Sequence, residues 1–230
     1  MSNTTLITGA NRGIGLQFVQ QLLAQGDTVI ACCRNPEQAA ELVQLGEQFP
    51  HHLELVGLDV SQPEQLHGLK AYLGDRIIDT LINNAGLYGP KGLHFGEVDS
   101  SGFNEVMQVN VLAPLLLVQT LSDNLARNSK IAILSSMMGS ISDNQSGGAY
   151  LYRASKSAVN AIGKSLANDL APRGVAVILL HPGWVQTEMG GPNALIDTQT
   201  SVEGMLKVIA ALNLDNSGEF RNYDGRELGW

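Results

Sequence analysis

Two residues four positions apart, Tyr152 and Lys156, have the side chains of an acid–base pair. They fall in a segment with helical periodicity, so they share one helix face about a turn apart. A phenol has a pKa of about 10, and a nearby ammonium group lowers it toward the range useful for proton transfer. The pair therefore predicts a tyrosine that gives or takes a proton. The same spacing also occurs as a surface contact on ordinary amphipathic helices.

A hydroxyl group upstream can complete this chemistry. Ser136 follows the run Lys130–Ser135, which reads as a strand. At that place its hydroxyl can hydrogen-bond a carbonyl oxygen and hold it near the Tyr152 phenol. The combination predicts proton transfer to or from an oxygen.

A glycine-rich stretch, Thr8–Gly15, follows the strand-like run Thr4–Ile7 and opens a helix. Free N–H groups and the helix dipole at such a place favour a diphosphate. Gly9 permits the tight turn, Gly13 lets backbone approach phosphate oxygens, and Gly15 lets the helix pack close on the strand. The spacing G-x-x-x-G-x-G is not that of the commonest dinucleotide fingerprint, and such glycines also serve plain turns.

The residue that follows the second predicted strand indicates which dinucleotide binds. Dinucleotide folds usually have an acidic residue about 20 positions past the glycines, to bind ribose hydroxyls. Here Cys33 and Arg34 occupy that place. A guanidinium group suits a 2′-phosphate, and Arg12 in the glycine loop can reach the same phosphate. The sequence thus favours NADP(H) over NAD(H), with a solvated charge at a strand end as the alternative for Arg34.

Short apolar runs alternate with helical patterns of about a dozen residues along the chain. Runs without polar alternation, such as 175–180, suit strands covered on both faces. This predicts an α/β, Rossmann-type doubly wound parallel sheet of about seven strands with helices on both faces, in a single domain over residues 1–230. The predicted strands are Thr4–Thr8, Thr28–Cys33, Glu54–Leu58, Thr80–Asn83, Lys130–Ser135, Val175–His181 and a short one near Phe220–Tyr223. The predicted helices are Gly13–Gln25, Pro36–Gln48, Pro63–Leu73, Ser101–Ala126, Ala149–Ala171 and Ser201–Leu212.

Ligands of such sheets bind beyond the carboxyl ends of the strands. Asp59 is placed to accept a hydrogen bond from the adenine amine, and Asn83–Gly86 offers small residues where a cofactor ribose can lie. Both also read as turns. The segment Glu188–Thr200 would overhang the nicotinamide as a substrate lid, with an ordinary surface loop as the alternative.

Composition excludes several classes of partner. The formal net charge of -8 over 230 residues disfavours nucleic acid and anionic membranes. Cys32 and Cys33 are adjacent and cannot form an unstrained disulfide, so we expect a cytoplasmic protein. The start of the chain lacks a secretory pattern, and the apolar run 111–118 is too short to span a bilayer. The histidines show no metal-ligand spacing, so no metal site is expected.

Several motifs taken in order resemble the short-chain dehydrogenase/reductase family, in its single-domain branch. They are TGANRGIG at 8–15, NNAG at 83–86, Asn110, Ser136, YRASK at 152–156 and PGWVQT at 182–187. The run YLYRASK at 150–156 and the ending Asp224–Trp230 are similar to C-factor-like carbonyl reductases. The resemblance covers nearly the whole chain.

The resemblance implies an NADPH-dependent oxidoreductase that interconverts a carbonyl compound and an alcohol. Its catalytic residues would be Asn110, Ser136, Tyr152 and Lys156. Tyr152 would handle the proton and Ser136 would orient the carbonyl or alcohol. Lys156 would bind nicotinamide ribose hydroxyls and lower the tyrosine pKa, and Asn110 would support a water connecting the lysine to solvent. The expected cofactor-binding residues are Gly9, Asn11, Arg12, Gly13, Ile14, Gly15, Arg34, Asp59, Val60, Asn84, Ala85, Gly86, Tyr152, Lys156, Pro182, Gly183, Val185 and Thr187.

One spacing departs from the family. Sixteen positions separate Ser136 from Tyr152, about three more than is common, and the extra residues lie in Gly139–Gly148. This leaves Ser135 as an alternative to Ser136, although the family's serine is the second of such a pair.

Two other functions remain alternatives. The first is an NADP-binding regulatory or signalling protein whose dehydrogenase site is little used, which the complete set of four residues disfavours. The second is a reductase of acyl chains bound to acidic carrier proteins, which the net charge disfavours. The resemblance also implies a homodimer or homotetramer, paired through the long helices 101–126 and 149–171, whose small residues equally suit packing inside the monomer.

Overall fold

A computed structural model describes residues 3–230 of the chain. Seven parallel strands form one sheet in the order β3-β2-β1-β4-β5-β6-β7. The direction of winding changes between β1 and β4, and ligand crevices form at such a point in doubly wound sheets. The predicted fold is confirmed. The strands are β1 Thr4–Thr8, β2 Thr28–Cys33, β3 Leu53–Gly57, β4 Thr80–Asn83, β5 Lys130–Leu134, β6 Ala176–His181 and β7 Glu219–Asn222.

Helices cover both faces of the sheet because neighbouring apolar residues of the strands point to opposite sides. In β6, Ile178 packs in the core beneath α1 and α7, whereas Val177 packs in the core beneath the helices of the other face. This two-sided burial explains the unbroken apolar runs of the strands. The helices are α1 Gly13–Ala24, α2 Ala40–Gln48, α3 Pro63–Leu73, α4 Ser100–Met107, α5 Ala113–Thr120, α6 Tyr150–Leu170 and α7 Thr198–Ala211.

The prediction of one regular helix over Ser101–Ala126 is wrong. A five-residue π-helical turn, Gln108–Leu112, separates α4 from α5. Pro114 has no N–H to donate to the Asn110 carbonyl, so the regular α pattern fails there. The Ala113 N–H instead donates to the Gln108 carbonyl five residues back. The helix then ends at Thr120, and only a short 3₁₀ turn follows it.

Two other helices begin more than one residue away from the predicted start. Residues 36–38 form a separate 3₁₀ turn, and α2 begins at Ala40. Helix α7 begins at Thr198 rather than Ser201, because the Asp197 side chain accepts a hydrogen bond of 2.7 Å from the Thr200 N–H and caps the helix.

Within residues 3–230, one continuous helical segment, Ser100–Thr120, has the length and hydropathy of a membrane span, and 39% of it is buried. Core helices meet the same criteria. Here Leu117 and Val118 pack against the core of the sheet together with Leu66 of α3. The segment therefore serves as a core helix in this fold.

Candidate active site

The carboxyl ends of β1 and β4 together brace the glycine loop. The Asn84 side-chain amide donates to the carbonyl groups of Thr8 at 2.9 Å and Gly9 at 3.0 Å. The Thr8 hydroxyl accepts from the backbone N–H groups of Asn84 at 3.2 Å and Ala85 at 3.1 Å. Two of the residues predicted to bind cofactor, Asn84 and Ala85, therefore hold the loop in shape.

The glycines of the loop stand where side chains have no room. A Cβ on Gly15 would lie 2.1 Å from the Gly9 carbonyl oxygen, and one on Gly9 would lie 2.9 Å from the Ala85 Cα. Gly9 and Gly13 also have φ values of +66° and +53°, which favour glycine. Helix α1 starts without a side-chain cap and without an acidic residue in its first turn. Bare backbone and uncapped N–H groups fit the diphosphate of a dinucleotide.

The two arginines predicted to bind a 2′-phosphate are in different surroundings. Arg34 is exposed at the end of β2 and has no hydrogen-bond or carboxylate partner among residues 3–230. Arg12 is also exposed, but its guanidinium pairs with the Glu188 carboxylate. Arg34 is thus available to an anion, whereas Arg12 must exchange one partner for another.

Asp59 and Asn11 hold less distinctive positions. The Asp59 carboxylate accepts from the Ser61 N–H at 2.9 Å and the Ser61 hydroxyl at 2.7 Å, so it closes the turn after β3. Val60 beside it is half-buried, and Asn11 is exposed in the glycine loop, where Ile14 is half-buried. The alternative reading of Asp59 as a turn residue fits these contacts.

The acid–base pair lies on the first turns of α6. Lys156 is buried, and its ammonium group donates to the Leu134 carbonyl at the end of β5 at 2.7 Å. Its Nζ atom lies 5.6 Å from the centre of the Tyr152 ring. The ring of Tyr88, from the segment after β4, stacks on Tyr152 with centres 4.7 Å apart. The structure therefore brings Tyr152 and Lys156 together at the carboxyl ends of the central strands.

Burial dominates the proton affinities of this pair. It raises the pKa of Tyr152 to about 12, an effect that a hydrogen bond from Ser136 opposes and Tyr88 increases. It lowers the pKa of Lys156 to about 8. The pKa of Tyr152 is raised in spite of the nearby Lys156, because the ammonium is directed at the Leu134 carbonyl while the phenolate loses hydration, and the lowering of the tyrosine pKa by Lys156 stays a prediction. At pH 7 the tyrosine is protonated and the lysine is mostly charged.

The shifted lysine predicts a pH dependence of stability. Folding depresses the Lys156 pKa from 10.5 to about 8, so the unfolded chain binds more protons between these values. The free energy of unfolding therefore increases as pH rises from 8 to 10.5, and this increase is lost as pH falls back through 8. Between pH 7.5 and pH 9.5, Lys156→Met should remove about 2 kcal/mol of that rise. Urea unfolding at pH 7.5 and pH 9.5 measures it. An identical pH dependence in both proteins would contradict the depressed pKa.

The two serines after β5 have separate partners. The Ser135 hydroxyl donates to the Asn160 side-chain carbonyl at 2.5 Å, inside the contact between β5 and α6. The Ser136 hydroxyl accepts from the Met138 N–H at 3.2 Å. It also hydrogen-bonds the Tyr152 phenol, which opposes the rise of the phenol's pKa. The contacts therefore favour Ser136 as the residue beside the reacting oxygen, and Ser135 as a structural one.

Asn110 lies in the π-helical turn and connects three elements. Its side-chain carbonyl accepts from the Leu87 N–H at 2.9 Å, and its amide donates to the Leu87 carbonyl at 2.8 Å and the Ser155 hydroxyl at 3.0 Å. A Cβ on Gly86 would lie 3.2 Å from the Asn110 Oδ1 atom and 3.6 Å from the Lys156 Nζ atom. The side chain of Asn110 thus fixes the segment after β4 against α6.

The segment after β6 is an ordered loop that reaches the glycine loop. Val185 is buried and pairs with Ile196, and the Trp184 indole donates to the Gly190 carbonyl at 2.8 Å. A Cβ on Gly13 would lie 3.3 Å from the Thr187 methyl group. Before it, Gly183 has a φ of +85° and the Pro182 carbonyl accepts from Ser201 at 2.6 Å. Of these predicted residues, Thr187 lies beside the glycine loop, next to Gly13.

A cleft of about 220 Å³ opens beside Tyr152. One wall belongs to the segment after β4 and the other to the start of α6. Ala149, directly before α6, has a φ of +45°, and it follows two glycines that also have positive φ. Arg153 ties this insertion to the helix by donating to the Ser146 hydroxyl at 2.9 Å. The lining residues are Tyr88, Pro90, Gly92, Leu93, His94, Ala149, Tyr150, Leu151 and Tyr152.

Sequence reasoning missed Tyr88, Asn160 and Glu188, each of which contacts a predicted site residue. Tyr88 follows the NNAG motif by two positions, which is the one signal available in the sequence. The other two contacts join residues distant along the chain without a recognisable pattern. Within the described range, no group of three or more His, Cys, Asp or Glu residues is placed to hold a metal ion, and Cys32 and Cys33 are both free and buried.

A doubly wound sheet with a bare glycine loop at its switch point and a Tyr–Lys pair across the crevice defines a dinucleotide-dependent oxidoreductase. Comparison with known proteins identifies the family. The model of the short chain dehydrogenase family matches residues 3–195, and the chain belongs to this family.

Three similar proteins illustrate the family. C-signal of Myxococcus xanthus is 43% identical over 155 residues, which are 66% of this chain and 93% of that protein. The 1-hydroxy-2-glutathionyl-2-methyl-3-butene dehydrogenase of Rhodococcus sp. (strain AD45) is 32% identical over 99% of this chain and 100% of that protein. The structure of NADPH bound carbonyl reductase from chicken fatty liver superposes with a TM-score of 0.92 at 35% identity, covering 100% of this chain and 99% of that one.

Proposed function

We propose that this protein is an NADPH-dependent oxidoreductase that reduces a ketone or aldehyde to the alcohol, or runs the reverse reaction. The observation that carries the proposal is the placement of Ser136, Tyr152 and Lys156 beside the bare glycine loop at the carboxyl ends of the strands. The similar chicken protein, which is a carbonyl reductase with bound NADPH, supports the choice of reaction and cofactor.

In this proposal NADPH supplies the hydride when it is bound. Tyr152 is protonated at neutral pH, which is the form that donates a proton to the reacting oxygen. Ser136 hydrogen-bonds the same oxygen and stabilises charge that develops on it. Lys156, mostly charged at pH 7, holds ribose hydroxyls, and Asn110 supports a water that connects the lysine to solvent.

The proposed cofactor site runs along the strand ends. The glycine loop holds the diphosphate, and Arg34 with Arg12 binds the 2′-phosphate of the adenosine. Asp59 and Val60 border the adenine. The candidate residues that follow β4 and β6 line the ribose and the nicotinamide. These residues are Asn84, Ala85, Gly86, Pro182, Gly183, Val185 and Thr187.

Arg34→Ala tests the cofactor preference. Loss of a charged hydrogen-bond donor to the 2′-phosphate should weaken NADPH binding by about 10- to 100-fold, whereas NADH binding changes little. Fluorescence titration with each cofactor measures both affinities. Arg127→Ala is the matched control, because Arg127 is also exposed but directly precedes β5, at the opposite edge of the sheet. Equal losses for NADPH and NADH would remove Arg34 from this role.

The overall proposal is tested by turnover. We expect the purified chain to oxidise NADPH in the presence of small ketones or aldehydes, followed as loss of absorbance at the nicotinamide band. NADPH binding without turnover of any carbonyl in a broad panel would favour a second function, that of a regulatory or signalling protein. The similarity to the protein named C-signal supports this second candidate.

We also propose that residues 1–230 form one domain and that the enzyme is a cytoplasmic homodimer or homotetramer. The face of α6 that carries the exposed Ala161 and Ser165 is the candidate interface. Gly163 is needed for packing inside the monomer, since a Cβ there would lie 2.7 Å from the Leu179 side chain. Light scattering on the purified protein measures the number of subunits.

A further inference from the structure

Tyr88 is held firmly beside the acid–base tyrosine. Its ring stacks on that of Tyr152 at 4.7 Å between centres and 27° between planes. On one side of it, the backbone of Leu87 is clamped twice by Asn110. On the other, Gly89 turns the chain at a φ of +81°, and a Cβ there would lie 2.6 Å from the Val106 side chain. The position of the Tyr88 ring is thus fixed by its neighbours.

The cleft that Tyr88 borders is small, and its lining has no carboxylate, ammonium or guanidinium group. Its volume of about 220 Å³ lies below the roughly 300–1,000 Å³ of drug-sized ligand sites. Three of its nine lining residues are tyrosines, Tyr88, Tyr150 and Tyr152, and none is Asp, Glu, Lys or Arg. Aromatic faces bind planar apolar groups through stacking and edge contacts. A charged substituent would lose hydration in this space, and a branched substituent would lose contact with the aromatic rings.

We propose that Tyr88 is a positioning and specificity-determining residue: its ring fixes the plane of the Tyr152 ring and is the wall against which a small, planar, uncharged substituent of the carbonyl carbon packs. This inference rests on the proposed reductase function. Tyr88 itself transfers no proton. Its two effects have one cause, which is that the same ring stacks on Tyr152 and contacts the substrate.

The test compares two uncharged aldehydes, benzaldehyde and hexanal, with NADPH. Tyr88→Ala should lower kcat/KM about tenfold for benzaldehyde and less than threefold for hexanal. Tyr88→Phe, which keeps the ring, should recover most of the loss. The alkaline limb of the pH profile adds a readout that a merely structural role would not move. Because charge repulsion from the Tyr88 phenol adds to the raised pKa of Tyr152, both Tyr88→Ala and Tyr88→Phe should shift that limb to lower pH.

Tyr72→Ala is the matched control, since Tyr72 is another half-exposed tyrosine and lies on α3, where it bonds Glu54 away from the cleft. It should change neither the substrate preference nor the pH profile. Equal losses for both aldehydes after Tyr88→Ala, or a pH profile unchanged by it, would overturn the inference. If Tyr88→Ala fails to fold, Tyr88→Leu answers the same question. A wild-type chain that reduces neither aldehyde nor any other carbonyl contradicts the proposed function instead.

Discussion

Tyr152→Phe is expected to lower kcat for NADPH-dependent carbonyl reduction by about 10²- to 10⁴-fold, the range that general acid catalysis supplies. The substitution removes the only group of Tyr152 that can protonate the reacting oxygen, and it keeps the ring that stacks on Tyr88. Lys156 stays bound to the Leu134 carbonyl, so the fold and the proposed ribose site are preserved.

Two measurements separate loss of chemistry from loss of binding. Steady-state oxidation of NADPH gives the rate, and titration of cofactor fluorescence gives the affinity, which should stay within about threefold of wild type because the glycine loop, Lys156 and the ring of Tyr152 are all retained. Tyr72→Phe is the control, since Tyr72 is half exposed on α3 and bonds Glu54 far from the crevice. Retained turnover in Tyr152→Phe would exclude Tyr152 as the acid.

Gly15→Ala is expected to weaken NADPH binding at least about 100-fold and to lower the free energy of unfolding by about 3 kcal/mol, the upper end of the usual cost of overpacking. The added Cβ would lie 2.1 Å from the Gly9 carbonyl oxygen and 2.7 Å from the Asn84 side-chain nitrogen. Helix α1 must therefore move off the glycine loop, and the amide that braces the loop must give way.

Gly68→Ala is the matched control for that change. Gly68 lies inside α3, and a Cβ added there would have nothing within 4 Å, so alanine should stabilise the helix by up to about 1 kcal/mol. Urea unfolding measures both variants, and cofactor titration measures the effect on the site. A Gly15→Ala protein with wild-type stability and affinity would show that close packing of α1 on the loop is unimportant.

The sheet was predictable from the sequence because parallel strands buried on both faces leave continuous apolar runs, and β1, β2 and β4 have the predicted bounds. The meeting of Tyr152, Lys156 and Ser136 was also predictable, since strand ends share one edge of such a sheet. The π-helical turn was not, because its pattern of apolar residues is the same as that of a regular helix. Pro114 was the available signal for it.

Proton affinities were the least predictable part of the site. The sequence places an ammonium near a phenol, and that proximity alone predicts a lowered tyrosine pKa. The sign reverses because burial of Tyr152 outweighs the charge, and because Lys156 points to the carbonyl of Leu134. Tyr88 adds to the raised pKa, and its contact with Tyr152 joins segments 64 positions apart in the chain. No spacing rule along one helix contains that information.

The backbone conformation of Ala149 lowers the stability of the fold next to the active site. An L-residue with a left-handed φ, here +45°, carries a conformational cost of about 1–2 kcal/mol that glycine would avoid. That cost falls three residues before Tyr152, where the chain turns into α6 and sets the direction in which the phenol leaves the helix. Natural proteins commonly give up stability at functional sites. A more stable chain with glycine at this position would also have a looser entrance to α6, so stability and activity are in competition at this one residue.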